Sequence, residues 1–173
     1  RAPDPLTLDV RDFGAKGDGV TDDTAAIQAA LEAAKRGAGP APGARSQNHV
    51  LLPGGTFLLS APLRIPSGVR LRGAGPTTIL SAAPSFGGEA LLVGDNCNGK
   101  GDYLRDIEVK DLAFRAEIRI AAFFPRCAAF VTSRLEHIRL FTPYGLKLNT
   151  YTQGVVVDGL DAYGPTEQLI HLR

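Results

Sequence analysis

The chain has 173 residues, of which 44% are hydrophobic, 21% charged and 7% aromatic, with a formal net charge of +1. That balance is enough to bury a core and excludes a disordered or collagen-like chain. No apolar run approaches the ~20 residues that a bilayer span needs, and with no basic tract and few aromatic residues nothing points to nucleic acid. Neither a membrane nor a nucleic acid is expected as a partner.

Arg1-Ala2-Pro3-Asp4-Pro5 has neither an initiator Met nor the charged-then-apolar pattern of a secretion signal, so this segment does not decide location. Asp9 to Leu31 reads as a strand, a glycine-rich turn with clustered carboxylates, and an amphipathic helix. Thr21 or Asp22 can accept from the free amides of the first helical turn, and Asp22 and Asp23 put negative charge at the positive end of its dipole. Ile27, Ala30, Leu31 and Ala34 recur at the three-and-four spacing of a buried stripe, and the helix is expected to stop at Arg36-Gly37. Asp18 to Asp23 lack the alternate ligand spacing and terminal Glu of an EF-hand, which favours a structural role for this turn. No cofactor is expected, and calcium is the one ion the carboxylates leave open.

Gly37 to Asn48 is a Gly/Pro/Ala/Ser loop without apolar periodicity. From His49 the pattern becomes short alternating strands broken at Pro53-Gly54-Gly55 and Pro66-Ser67-Gly68, and no helical period returns. The Arg72-Gly73-Ala74-Gly75-Pro76 turn has the glycines of a nucleotide loop, but Pro76 and the lack of a following helix count against one. Leu71, Leu92, Leu112, Ile138 and Leu160 recur in steps of 21, 20, 26 and 22 residues, with the longest step absorbing a loop near Ile120 to Arg126. Such regular recurrence predicts a solenoid in preference to a sandwich. Ile107, Val109, Leu112 and Phe114, then Ile138 and Leu140, Leu146 and Leu148, Val155, Val157 and Leu160, and Ile170 and Leu172 are the expected inward positions. A helix laid over the open end of such a coil covers both its apolar interior and its strand edges.

The run DVRDFGAKGDGVTDDTAAIQAAL, followed by VLLPGGTFLLSAPLRIPSGVRLRGAGPTTIL, resembles the amino-terminal portion of pectate-lyase-like right-handed parallel β-helix proteins over about residues 7 to 80. That superfamily includes polysaccharide lyases, glycoside hydrolases of the polygalacturonase and β-1,3-glucanase type, mannuronan epimerases and phage tailspike depolymerases. The resemblance implies an all-β fold, a right-handed parallel β-helix with an amino-terminal capping α-helix. It implies an extracellular polysaccharide-degrading enzyme, a lyase or a glycoside hydrolase, secreted or carried on a phage virion. The alternatives are a non-catalytic glycan-binding or structural coil, such as a tailspike or adhesin body, and a uronate C5-epimerase; a tailspike would be a homotrimer. One unit is expected over residues 1–173, with strand, turn and helix over 1–37, a loop over 38–48 and about five rungs over 49–173. Leu169 to Arg173 reads as an interior strand, so the chain is expected to be the first part of a longer coil, continued by a further segment or another chain.

Cys97 and Cys127 are one potential disulfide, but Cys127 lies in the apolar Phe123 to Val131 stretch, and the favoured reading makes both small core residues. Chemistry is expected from outward positions, which stacked rungs align in rows about 4.8 Å apart. Arg70, Arg72, Glu108 and Lys110 read as a solvated face. The catalytic candidates are His137, Arg139, Lys147 and Asp161; the substrate-binding candidates are Tyr144, Asn149, Tyr151, His171 and Arg173; no metal ligands are assigned. Hydrolysis needs two carboxylates, ~5 Å or ~6.5–9.5 Å apart; Asp158 and Asp161 are the candidate pair, but Asp158 sits at an expected Asp158-Gly159 turn. β-Elimination from a uronate needs a base and a cation beside the enolate, which His137, Arg139, Lys147 and Tyr144 can supply. The paired aspartates with Arg-x-Lys of polygalacturonases and the calcium-aspartate cluster of pectate lyases are not visible, so the resemblance transfers no catalytic residue. An excess of outward basic residues favours an acidic polysaccharide as the partner.

Overall fold

The computed structural model describes residues 7–37, 48–95, 97, 102–148, 151–163 and 168–172. The chain opens with β1 (Thr7–Asp9), a 3-10 turn over Val10–Phe13, β2 (Asp18–Asp22) and the helix α1 (Thr24–Gly37). The strands β3 (Asn48–Leu52), β4 (Gly55–Leu59), β5 (Leu63–Ile65), β6 (Val69–Gly73), β7 (Thr78–Ala82), β8 (Ala90–Gly94) and β9 (Tyr103–Arg105) follow. After them come β10 (Glu108–Arg115), β11 (Ala121–Phe124), β12 (Ala129–Val131), β13 (Arg134–Phe141), β14 (Tyr144–Leu148), β15 (Tyr151–Gln153), β16 (Val156–Ala162) and β17 (Gln168–Leu172). Most of the loop expected over 38–48 lies outside the described residues, and Asn48 already belongs to β3.

These strands form three curled sheets in which every pairing is parallel. In the first, β1, β3 and β6 stack on the first half of β10 while β2, β4 and β7 stack on its second half, and β13 and β16 continue the series. The second sheet runs β5–β8–β11–β14–β17, and the third β9–β12–β15. Successive turns of one coil therefore lie on each other, which is a parallel β-helix. Its core is a set of columns: Val50, Leu71, Val109 and Leu135; Leu80, Phe114 and Leu140; Leu63, Leu92, Phe123 and Leu146, each of these side chains at most 2% exposed.

The expected repeat is correct at one end and wrong at the other. Leu112, Ile138 and Leu160 stand in register. Leu71 aligns instead with Val109, and Leu92 belongs to the second sheet, opposite Leu63 and Phe123. The turn of coil from Leu71 to Val109 carries extra chain, so a step of about twenty residues there counted only part of a rung. The loop expected near Ile120 to Arg126 contains the strand β11, whose Ala121, Ala122 and Phe123 are buried. Most of the expected inward residues are buried. Val157 and Leu160 are partly so, packed against the core, while Ile170 is 43% exposed.

Two corners of the coil are built from left-handed residues. Gly68, Asp106, Thr132 and Gly154 hold φ of 79°, 54°, 48° and 64°, and Asp111, His137 and Gly159 hold 57°, 50° and 61°. The strand registers place each group in one column. A single αL residue turns the chain sharply and lets the parallel ladder resume directly after it.

At the start of the chain the carboxylates serve the backbone. Asp18 accepts from the Val20 and Thr21 amides and the Thr21 hydroxyl, and these bonds hold its carboxyl down to about 2. Asp22 accepts from the Thr24 amide and hydroxyl and from the Ser60 hydroxyl. Asp23, 1% exposed, turns away from the helix and accepts from the amides of Lys16 and Gly17 at 2.8 and 2.9 Å. Ile27, Ala30, Leu31 and Ala34 are buried in the core as their spacing predicted. Gln28 on the same helix takes the Arg64 amide at 2.9 Å and donates to its carbonyl at 3.2 Å, satisfying the outer backbone of β5.

Cys97 and Cys127 form a disulfide, with Cα atoms 4.5 Å apart, which corrects the reading of both as unpaired core residues. Cys127 is also 4% exposed, so burial and pairing coexist. The Gly94 amide donates to the Pro125 carbonyl at 3.1 Å, and stacking of one rung on the next thereby brings the segments after β8 and β11 together.

Candidate functional site

The αL corner of β10, β13 and β16 creates the site. Along β13, Leu135, Ile138 and Leu140 point inward while Glu136 and His137 are both turned out, because the left-handed residue interrupts strict alternation. The corner column therefore presents Asp111 and His137 side by side on adjacent rungs. His137 Nδ1 lies 3.1 Å from Asp111 Oδ1, and Arg72 Nε lies 3.3 Å from Asp111 Oδ2. The third member is Gly159, where an added Cβ would stand 2.8 Å from His137 Cδ2. The absent side chain is what makes room for the imidazole.

Two residues beyond the corner, Arg139 and Asp161 are paired in register on neighbouring rungs. Together with Asp111, His137, Gly75 and Pro76 they line a cleft of about 210 Å³. Its rim at Gly75 is tied down by the Gly75 amide, which donates to the Asp111 carbonyl at 2.8 Å. Three of the four catalytic candidates, His137, Arg139 and Asp161, thus meet in one place. Asp158 lies before the Gly159 corner, opposite Glu136, and not among the lining residues.

The remaining candidates lie elsewhere. Lys147 is on β14 in the second sheet, its Nζ 4.5 Å from the centre of the Phe124 ring and 3.9 Å from Glu89 Oε2. Tyr144, at the start of the same strand, accepts from Arg119 Nη2 at 2.8 Å and Nε at 3.2 Å. Tyr151 is on β15 in the third sheet, exposed, with its hydroxyl 3.4 Å from Gln153 Oε1. His171 is opposite Lys147 in register, and Asn149 and Arg173 lie outside the described residues. The separation has one cause: the three sheets face different ways, and alternation alone does not say which sheet a strand joins.

Asp111 and Arg72 are the members that sequence reasoning missed. A signal for Asp111 existed, since the step that equates Leu112, Ile138 and Leu160 also equates the residues just before them: Asp111, His137 and Gly159. Chemically, a carboxylate that accepts from Nδ1–H leaves the lone pair of the imidazole on Nε2, the arrangement of an oriented base. Arg139 adds a fixed positive charge and Asp161 an acceptor one rung away.

A coil of stacked parallel rungs is the architecture of the pectate-lyase-like β-helix proteins. The chain belongs to the rhamnogalacturonase A/epimerase, pectate lyase-like family, whose model matches residues 7–123. It is 37% identical to alginate lyase 7 of Azotobacter vinelandii over 115 residues, 62% of this chain and 12% of that protein. It is 36% identical to the preneck appendage protein of Bacillus phage PZA over 91 residues, 51% of this chain and 9% of that one. The A-module of the Azotobacter vinelandii mannuronan C-5 epimerase AlgE4 superposes with a TM-score of 0.64 at 18% identity, covering 88% of this chain and 50% of the module. The matched segments are thus a small part of the curated relatives' length, and the fold is shared more widely than any one activity.

Proposed function

We propose that this chain belongs to an extracellular polysaccharide-active enzyme, a lyase or glycoside hydrolase, that takes an extended glycan along the outer face of the coil. The observation that carries this reading is the Asp111–His137 pair opening on a cleft shared with Arg139 and Asp161. The two guanidinium groups, Arg72 and Arg139, favour a uronate-containing glycan through charge-assisted bonds to its carboxylates.

Of the two reactions, these residues suit β-elimination. His137 Nε2 takes the proton beside the uronate carboxylate, and the electron pair left behind forms the ring double bond as the glycosidic C–O bond breaks. The departing oxygen takes a proton from solvent. Arg139 neutralises the charge that builds on the carboxylate, and Asp111 holds the imidazole and stabilises it once protonated. No cofactor is invoked. Secretion or carriage on a virion surface suits such a substrate, and α1 serves as the lid of the first rung, a role supported by its buried Ile27 and Leu31 and by Gln28 at the β5 edge.

Incubating the full-length protein with acidic and neutral polysaccharides separates the readings. An absorbing unsaturated product marks a lyase, and new reducing ends without that absorbance mark a hydrolase. Neither signal on any glycan would turn the assignment toward epimerisation or a binding coil.

A further inference from the structure

A second surface lies away from the cleft, on the third sheet. β9, β12 and β15 bring Tyr103, Ala129 and Tyr151 into one register row, and Arg105, Val131 and Gln153 into the row two residues on. Both tyrosines are 64% exposed, while Leu104 and Phe130 between the rows are fully buried. Large exposed aromatic side chains are few among the described residues, and here two of them stand on one outward face with a small residue between them. Their spacing is two rungs, about 9.6 Å, close to the two-residue repeat of an extended 1,4-linked sugar chain. The tyrosine hydroxyl of Tyr151 is engaged by Gln153 Oε1, so the Gln153 amide nitrogen remains a donor. Arg105 has no ion-pair partner among the described residues.

From this array we propose that the outer face of β9, β12 and β15 is a glycan-docking strip separate from the His137 cleft. Tyr103 and Tyr151 stack on alternate pyranose rings over the Ala129 notch. Arg105 binds a ring carboxylate, and Gln153 donates to a hydroxyl. An aromatic platform flanked by planar donors holds the apolar face and the polar rim of a sugar together. The Arg105 guanidinium selects uronate over neutral chains. Only the choice of a glycan as ligand rests on the proposed function.

Calorimetric titration of the full chain with hexasaccharides of mannuronate, galacturonate and β-1,3-linked glucose tests the strip. Uronate hexasaccharide is expected to bind, Tyr103→Ala and Tyr151→Ala each weakening it about tenfold. Tyr→Phe at either position keeps the ring and should bind within about twofold of the parent, and Arg105→Gln should weaken the uronates while leaving the glucan unchanged. Thermal melting checks that the variants fold, and the Phe and Gln variants remain informative if an Ala variant does not. The strip is overturned if the folded Tyr103→Ala/Tyr151→Ala double variant binds uronate as the parent does, or if the parent binds none of the three. Product formation is read separately. Turnover with unaltered binding in the double variant sinks the strip alone, whereas lost binding without turnover by the parent sustains the strip and sinks the lyase reading.

Discussion

His137 Nδ1 stands 3.1 Å from Asp111 Oδ1 across two adjacent rungs, and both residues hold left-handed backbone angles, 50° and 57°. The corner of the coil thus sets the pair: the same φ that bends the strand throws both side chains outward. Replacing His137 by Ala should lower turnover by about 10²-fold or more, the usual worth of a positioned base. Asp111→Asn keeps the shape but not the charge, so it should lower kcat and shift the pH profile. Steady-state rates from pH 5 to 9 on a uronate polymer check both.

Gly159 protects that geometry. With φ at 61° and an added Cβ 2.8 Å from His137 Cδ2, Gly159→Ala should cost about 1–3 kcal/mol of stability and lower turnover by displacing the imidazole. Urea unfolding and activity measured on one preparation would show the two losses together; an unaltered midpoint would remove the steric argument.

The Cys97–Cys127 bridge closes a loop across a sequence separation of 30. Its removal as the Cys97→Ser/Cys127→Ser pair should lower stability by about 2–4 kcal/mol, seen as a lower melting temperature that matches the parent under reductant. Equal melting of parent and variant without reductant would show that the bridge does not form in solution.

Asp23 is the buried keystone of the first turn. Asp23→Ala leaves the Lys16 and Gly17 amides without their acceptor, an expected loss of about 1–3 kcal/mol. Asp18 acts on the same turn through charge. Its carboxyl is lowered from 3.8 to about 2 by the Thr21 and Val20 amides, so its contribution is complete above the ordinary carboxylate range and is lost as pH falls toward 2. Asp22 is lowered in the same sense, first by the Ser60 hydroxyl and then by Thr24. Melting temperature should therefore fall between about pH 4 and pH 2, and Asp18→Asn should flatten part of that fall.

Local signals made much of this fold legible. Glycines and carboxylates marked the first turn, the Ile27–Ala34 stripe marked the buried face of the helix, and alternation marked most inward residues. The length of a rung was legible only where one αL residue separates two strand halves, as at Asp111 and His137. Between Leu71 and Val109 the chain passes through all three sheets with extra loops, and no local pattern tells a strand which sheet it joins. For that reason His137, Arg139 and Asp161 were found together, whereas Lys147, Tyr144 and Tyr151 were grouped with them and are not. Asp111 escaped notice because a lone aspartate before an apolar residue looks like any solvated turn; only its register with His137 gives it a role. The disulfide was likewise hidden, since pairing depends on which segments stack and not on the apolar neighbours of Cys127.

The most direct measurement is the absorbance time course of unsaturated product when the full-length protein and its His137→Ala variant are each given a uronate polymer. The account predicts a steady rise for the parent and a rate about 10²-fold lower or less for the variant, with both proteins equally folded. A variant that forms product at the parental rate would contradict it.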